Sequence, residues 1–270
     1  MSILRKICAF IKRDFYIHIS YRVAFIFEWV GILVTVATFY FISRLVNQGA
    51  VSYLKEYQTG YFPFVLVGIA FSGYLSTALQ SFSSNIREEQ LLGTLEAMLV
   101  TPARVSLIII GICIWDFLFT SVTTVISLLF GVLFFKVDLS QMNFLASLLI
   151  LGMTIISFSS IGIISAAFII VLKKGNPINW MINTFSGLFG GVFFPVEMLP
   201  KKLQAISNLL PITYSLRGLR HAILRGYGFR MLMPDILILL SFCVIMFPLS
   251  IWIFKKAVNK AKLTGSLAHY

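Results

Sequence analysis

The sequence predicts an all-α polytopic membrane protein: one amphipathic interfacial helix, then six transmembrane helices, in a single permease-like domain over residues 1–270. Two observations carry this. Of the 270 residues, 59% are hydrophobic and only 12% charged, about half the charged share of a soluble domain. Apolar runs long enough to cross a bilayer recur along the chain, whose mean hydropathy is +0.92. The runs are continuous rather than alternating, so helices rather than a barrel must satisfy the backbone in lipid.

The elements follow in order. Residues 1–20 form the interfacial helix. Ile3, Leu4, Ile7, Phe10, Ile11 and Phe15 share one side of a helical wheel, and Arg5, Lys6, Lys12 and Arg13 the other, with Asp14 misplaced on the apolar side. The start, "MSILRKICAFIKRDF", is not expected to be a signal peptide, since it has no long apolar core or small-residue cleavage site. Transmembrane helices are expected at roughly 23–43, 61–83, 105–135, 143–172, 178–196 and 235–254. The third and fourth are long enough to tilt or protrude. On the fourth, Ser159, Gly162 and Ser165 make a small-residue stripe suited to close helix packing. Residues 197–234 read as two short helices opened by Pro200 and Pro211. Their apolar faces are Leu203, Ile206, Leu209 and Leu210, then Leu216, Leu219 and Ile223. Neither is long enough to span, so a re-entrant or interfacial cap is expected.

Lys and Arg set the orientation. Thirteen fall on the side holding both termini, the 85–102 loop and the 173–177 loop; three (Arg44, Lys55, Lys136) fall opposite. Both termini are therefore expected in the cytoplasm, in a multi-pass protein of the cytoplasmic (inner) membrane. Residues 197–234 carry six more basic residues and would lie outside, which long loops tolerate. Among them Arg217, Arg220 and Arg225 would reach lipid phosphates or form an electropositive exit.

Several functions are excluded or disfavoured. There is no GxxxxGK[ST] phosphate loop, HExxH or GxSxG motif. The three cysteines, Cys8, Cys113 and Cys243, have neither disulfide nor metal spacing. Membrane-embedded acids are few, with Glu28 and Asp116 the candidates, fewer than a proton-coupled carrier usually needs. The net charge of +12 fits lipid headgroups better than nucleic acid in so apolar a chain. No catalytic residue, metal or bound cofactor is expected on this chain.

The stretch "NIREEQLLGTLEAMLVTP" at 85–102 concentrates charge between two apolar runs. Asn85 can cap a helix, and Thr101-Pro102 ends one. A short acidic helix at the cytoplasmic surface could dock a soluble partner or be an ordinary solvated loop. Within it, "GTLEAMLVTP" at 93–102 resembles the loop of type-2 ABC exporter permeases. "FFPVEMLPKKLQAISNLLPITYSLRGLRHAI" at 193–223 is similar to that family's Phe-Pro, Leu-Pro and Pro-x-Thr-Tyr pattern. The likeness is nearer the drug-resistance and nodulation exporters than the O-antigen type, whose opening pattern is not met by "HISYRVAFIFEW".

The resemblance implies the transmembrane subunit of an ATP-driven exporter. Its partners would be a second permease copy or paralogue, two ABC ATPase subunits that carry ATP and Mg, and membrane lipids. Residues 85–102 would be the coupling helix, with Glu88, Glu89, Gly93, Thr94, Leu95, Glu96 and Met98 meeting the ATPase. The pathway would be lined by the first, second and fifth spans, which carry Phe27, Trp29, Tyr40, Phe71 and Phe185. The substrate would be a lipid, drug or glycolipid. A lipid-linked polysaccharide exporter and a channel or scaffold without ATP coupling stay open as alternatives.

Overall fold

The computed structural model describes residues 3–45, 54, 57, 59–91, 105–172 and 177–263. Helix α1 is Ile3–Ser20, α2 Arg22–Leu45, α3 Tyr61–Leu91, α4 Val105–Phe135, α5 Phe144–Leu172 and α6 Pro177–Phe189. A 3-10 turn, Val196–Met198, leads to α7 (Lys201–Ser207), α8 (Pro211–Leu224) and α9 (Phe229–Leu263). Among the described residues every regular element is helical, and five helices (α2, α3, α4, α5 and α9) are long and apolar enough to cross a membrane.

Boundaries follow local chemistry. Asn143 caps α5, its Oδ1 accepting from Ala146 N–H at 3.1 Å. Lys136, in the left-handed region at φ 54°, ends α4. Pro211 occupies the first turn of α8, where its missing N–H costs nothing.

Two expectations are corrected. Asn85 does not cap a helix. Helix α3 runs through it to Leu91, so the first part of the 85–102 stretch continues the second long helix. The element expected at 178–196 is helical only to Phe189. Its 13 residues rise about 20 Å, short of a bilayer core. Gly190 and Gly191 break it, the latter at φ 77°, which a side chain would resist.

Helix α3 lies centrally against α4 and α5, α9 packs along α5, and α8 sits on α3, α5 and α9. At one end of the bundle Leu216, Leu219 and Ile223 of α8 are buried against Tyr74, Ile150 and Leu232. The apolar face expected for α7 is not buried: Ile206 and Leu209 are exposed. At the other end Phe82, Cys113, Ile163, Phe254 and Ala257 form a second cluster, and Phe10 of α1 packs on it. The small-residue stripe of α5 meets α3, where a Cβ on Gly162 would stand 2.2 Å from the Ala78 carbonyl. Lipid gives helices no hydrophobic reason to associate, so such close approach and interhelical hydrogen bonds hold the bundle.

Candidate functional site

Helix α6 is too short to span, yet it carries polar groups matched to α3. Asn179 Nδ2 donates to Leu79 O at 2.8 Å and to Ser83 Oγ at 2.7 Å, and its Oδ1 accepts from Ser165. One turn on, Ser76 Oγ donates to Asn183 Oδ1 at 3.0 Å. Beyond the helix, Val192 O meets α3 beside Gly68; a Cβ there would be 2.2 Å from that oxygen. Residues 179–192 thus run antiparallel along α3 from Ser83 to Gly68, about 22 Å of helix rise.

Beside this seam lies a cleft of about 420 Å³. Ser72, Ser76, Asn183 and Thr184 give it polar groups; Leu188 and Phe193 give it apolar wall. Such a mixed lining suits a molecule with both polar and apolar parts.

The cap closes one end of the seam through Arg220, which is 2% exposed. Its Nε donates to Phe64 O at 3.1 Å, Nη1 to Gly191 O at 2.8 Å and Nη2 to Val192 O at 3.0 Å. The guanidinium also lies 3.5 Å from the Phe64 ring centroid. Burial lowers its pKa to about 10, so it stays charged at neutral pH. The structure therefore turns Arg220 inward, where carbonyl dipoles replace its hydration, rather than toward a headgroup. Arg217 Nε donates to Asp235 Oδ1 at 2.9 Å. Burial opposes the Arg217 charge, but the bond and charge of Asp235 outweigh it and the pKa is raised. Arg225 is half-buried, 5.6 Å from the Tyr227 ring. His221 stacks on Tyr57 and on Tyr227, each at 4.9 Å.

A family model, ABC-2 type transporter, matches residues 5–224. The chain belongs to the ABC-2 type transporter family. Over 168 residues it is 26% identical to the inner membrane transport permease YadH of Escherichia coli (strain K12), covering 61% of this chain and 63% of that protein. The same figures hold for YadH of Escherichia coli O157:H7 and of Shigella flexneri. The chain therefore spans just under two thirds of the length of these relatives.

Within this ABC-2 chain the five aromatic residues expected along a pathway are not gathered in one place. Phe27 is 70% exposed on α2, and Phe185 is 52% exposed on α6 beside Phe189. Trp29 meets Phe119 edge-on at 6.3 Å. Tyr40 packs against Phe62 and Phe135. Phe71 is buried in the core near Tyr74. The polar residues of the cleft were missed by the sequence reading. Their signal was Ser72 and Ser76, one helical turn apart, with Asn179 and Asn183 at the same spacing. Of the residues expected to meet an ATPase, Glu88 and Glu89 fall on the last turn of α3, while Gly93, Thr94, Leu95, Glu96 and Met98 lie outside the described residues. Among the described residues no group of three His, Cys, Asp or Glu could hold a metal.

Proposed function

We propose that this chain is the transmembrane subunit of an ATP-driven exporter that moves an amphipathic or hydrophobic molecule across the cytoplasmic membrane. A separate ATPase supplies the energy, and a second permease copy or paralogue completes the pathway. The carrying observation is the α3–α6 cleft, whose mixed wall stands on a chain of the ABC-2 family. The relatives' name, inner membrane transport permease, supports the same location.

The topology has both termini in the cytoplasm, with five full-length crossings and a sixth, shorter one made by α6 together with the turn after it. Two contacts support it. Phe10 of α1 packs on the cluster that holds Phe254 and Ala257 near the end of α9, so the described start and end share one face of the bundle. The seam from Asn179 to Val192 lets α6 and the turn after it cross beside α3. Residues 197–234, with Arg217 and Arg225, then face the outer side as re-entrant or interfacial helices. Residues 85–102 face the ATPase.

The test is co-reconstitution with the cognate ATPase in vesicles, for Glu96→Lys and Glu89→Lys against Glu56→Lys. Glu89 and Glu96 stand seven residues apart, two helical turns, and so share a face of any helix that includes both. Both reversals should abolish ATPase pull-down and transport while the control retains them. Transport by the permease without any ATPase would establish the channel reading instead.

A further inference from the structure

Among the described residues no charged side chain lines the α3–α6 cleft. Arg220 bonds the carbonyl of Val192 in its wall, but the guanidinium is committed to that oxygen and to those of Phe64 and Gly191. The polar groups that do line it are hydroxyls and one amide, and they retain bonding capacity. Asn183 accepts from Ser76 through Oδ1, which leaves its Nδ2 hydrogens to the cleft. Thr184, partly buried one residue on, makes no side-chain hydrogen bond to the described residues. On the facing helix Ser72 Oγ donates to Ile69 O at 2.9 Å, and both Ser72 and Ser76 keep lone pairs with which to accept. Helix α6 thus offers donors across the cleft from acceptors on α3.

Depth decides what fits. Ser72 and Ser76 straddle the middle of the Tyr61–Asn85 span, where an unpaired charge is costliest. Along the seam Asn183 and Thr184 lie toward Asn179, while the apolar walls Leu188, Val192 and Phe193 lie toward the cap. The Phe193 wall is backed by Phe39 of α2, stacked on it at 5.6 Å. A group placed among the hydroxyls must both donate and accept, and must bring no charge. A phosphate or an ammonium fails the second condition, since no counter-charge faces it. A bare acyl chain fails the first, since it covers Asn183 and Thr184 without bonding them. A sugar or other polyol meets both.

Resting on the export reading of this cleft, we propose that the exported molecule is an uncharged amphiphile with a polyhydroxyl head, of the neutral glycolipid class. Its head hydroxyls lie between Ser72 and Ser76 of α3 and Asn183 and Thr184 of α6. Its tail runs past Leu188 and Phe193 toward the cap, so the head points to the α1 end of the bundle.

Photolabelling of the full-length chain in nanodiscs reads the ligand class directly. The probes share one diazirine acyl chain and differ in the head: monoglucosyldiacylglycerol, phosphatidylglycerol, a trimethylammonium lipid and acetyl diacylglycerol. The glucosyl lipid should label residues 184–193 at roughly tenfold lower mole fraction than either charged lipid. Thr184→Val, which keeps the side-chain shape, and Asn183→Leu should each weaken that labelling roughly fivefold and change acetyl diacylglycerol labelling little. Equal labelling by a charged lipid overturns the proposal. Equal labelling by acetyl diacylglycerol does so too, because the head is then not read, as does absence of labelling by any probe. Selective glucosyl labelling that both variants leave intact overturns it by placing the head elsewhere. Adding the cognate ATPase tests export separately. Selective labelling with no stimulation of ATP hydrolysis by the glucosyl lipid would support the ligand class of the cleft and overturn the export reading.

Discussion

Asn85 near the end of α3 donates to Asp116 Oδ2 on α4 at 2.9 Å. The bond ties α3 to α4 at the start of the 85–102 segment, for which a coupling role is proposed above. It also explains an acid near membrane depth that the sequence left without a role. A side-chain hydrogen bond contributes about 0.5–1.5 kcal/mol net. Asp116→Ala should therefore lower the unfolding temperature in detergent clearly, and Asp116→Asn, which keeps an acceptor, should do so less. Equal losses in the two variants would show that Asp116 acts through its carboxylate charge, not through an acceptor oxygen for Asn85. In the reconstituted complex, Asn85→Ala should also weaken substrate-stimulated ATP hydrolysis more than it weakens ATPase binding.

Gly68 and Arg220 serve one contact, since both meet Val192 O. Gly68→Ala would drive a Cβ to 2.2 Å from that oxygen and 2.5 Å from Arg220 Nη2. Arg220→Ala would leave the carbonyls of Phe64, Gly191 and Val192 without this donor, at about 1–3 kcal/mol for each one left unsatisfied. Arg220→Lys should recover little, because an ammonium lacks the planar fork that reaches all three. Each single variant should cut the folded yield in detergent. The double variant should be less damaging than the sum, because neighbours that share a partner are not additive. Additive losses, measured as folded fraction by size-exclusion chromatography, would separate the two residues.

The long apolar helices were legible because composition and length suffice for them: the third was placed at 105–135, where α4 is found. Pro200 and Pro211 likewise announced α7 and α8. Helix α6 was misjudged because "INWMINTFSGLFGGVFFPV" is apolar enough to span, while the glycine pair that breaks it is equally common inside membrane helices. Asn85 was misread because a capping residue and an interhelical hydrogen-bonding residue look alike in sequence. The inward turn of Arg220 depends on carbonyls from residues 64, 191 and 192, which chain order does not bring together.

Arg217 and Asp235 tie α8 to α9 across a partly buried bond of 2.9 Å from Nε. Asp235 is the more buried partner, with 8% of its side chain exposed against 34% for Arg217. Removing one member strands the other, so Asp235→Ala and Arg217→Ala should each destabilise the cap, whereas Arg217→Met/Asp235→Leu should be nearer wild type. Limited proteolysis of the 197–230 segment, with cleavage rates compared between single and double variants, reads this directly. A double variant cleaved as fast as the worse single would mean that packing, not charge pairing, holds α8 on α9.

Asn179 and Asn183 sit one turn apart on α6 but should fail differently when changed. Asn179 is 6% exposed and bonds to Ser165, Leu79 O and Ser83 together, so it joins three helices. Asn179→Leu takes the acceptor from Ser165 and breaks the link from α6 to Leu79 O and Ser83 Oγ, which keep their bond to each other, and should reduce folded protein severely. Asn183 is only partly buried, accepts from Ser76 and faces the cleft. Asn183→Leu, like Ser76→Ala, should insert and fold normally while changing the wall that a substrate meets. If the cleft carries substrate, Asn183→Leu shifts the rank order of compounds that stimulate ATP hydrolysis, against those with polar headgroups and toward wholly apolar ones. The concentration giving half-stimulation should rise by roughly fivefold to tenfold for a substrate that loses one hydrogen bond of about 1–1.5 kcal/mol. An unchanged rank order in a normally folded Asn183→Leu protein would place the pathway elsewhere, and the exposed aromatic residues Phe27 and Phe185 would be the next to replace.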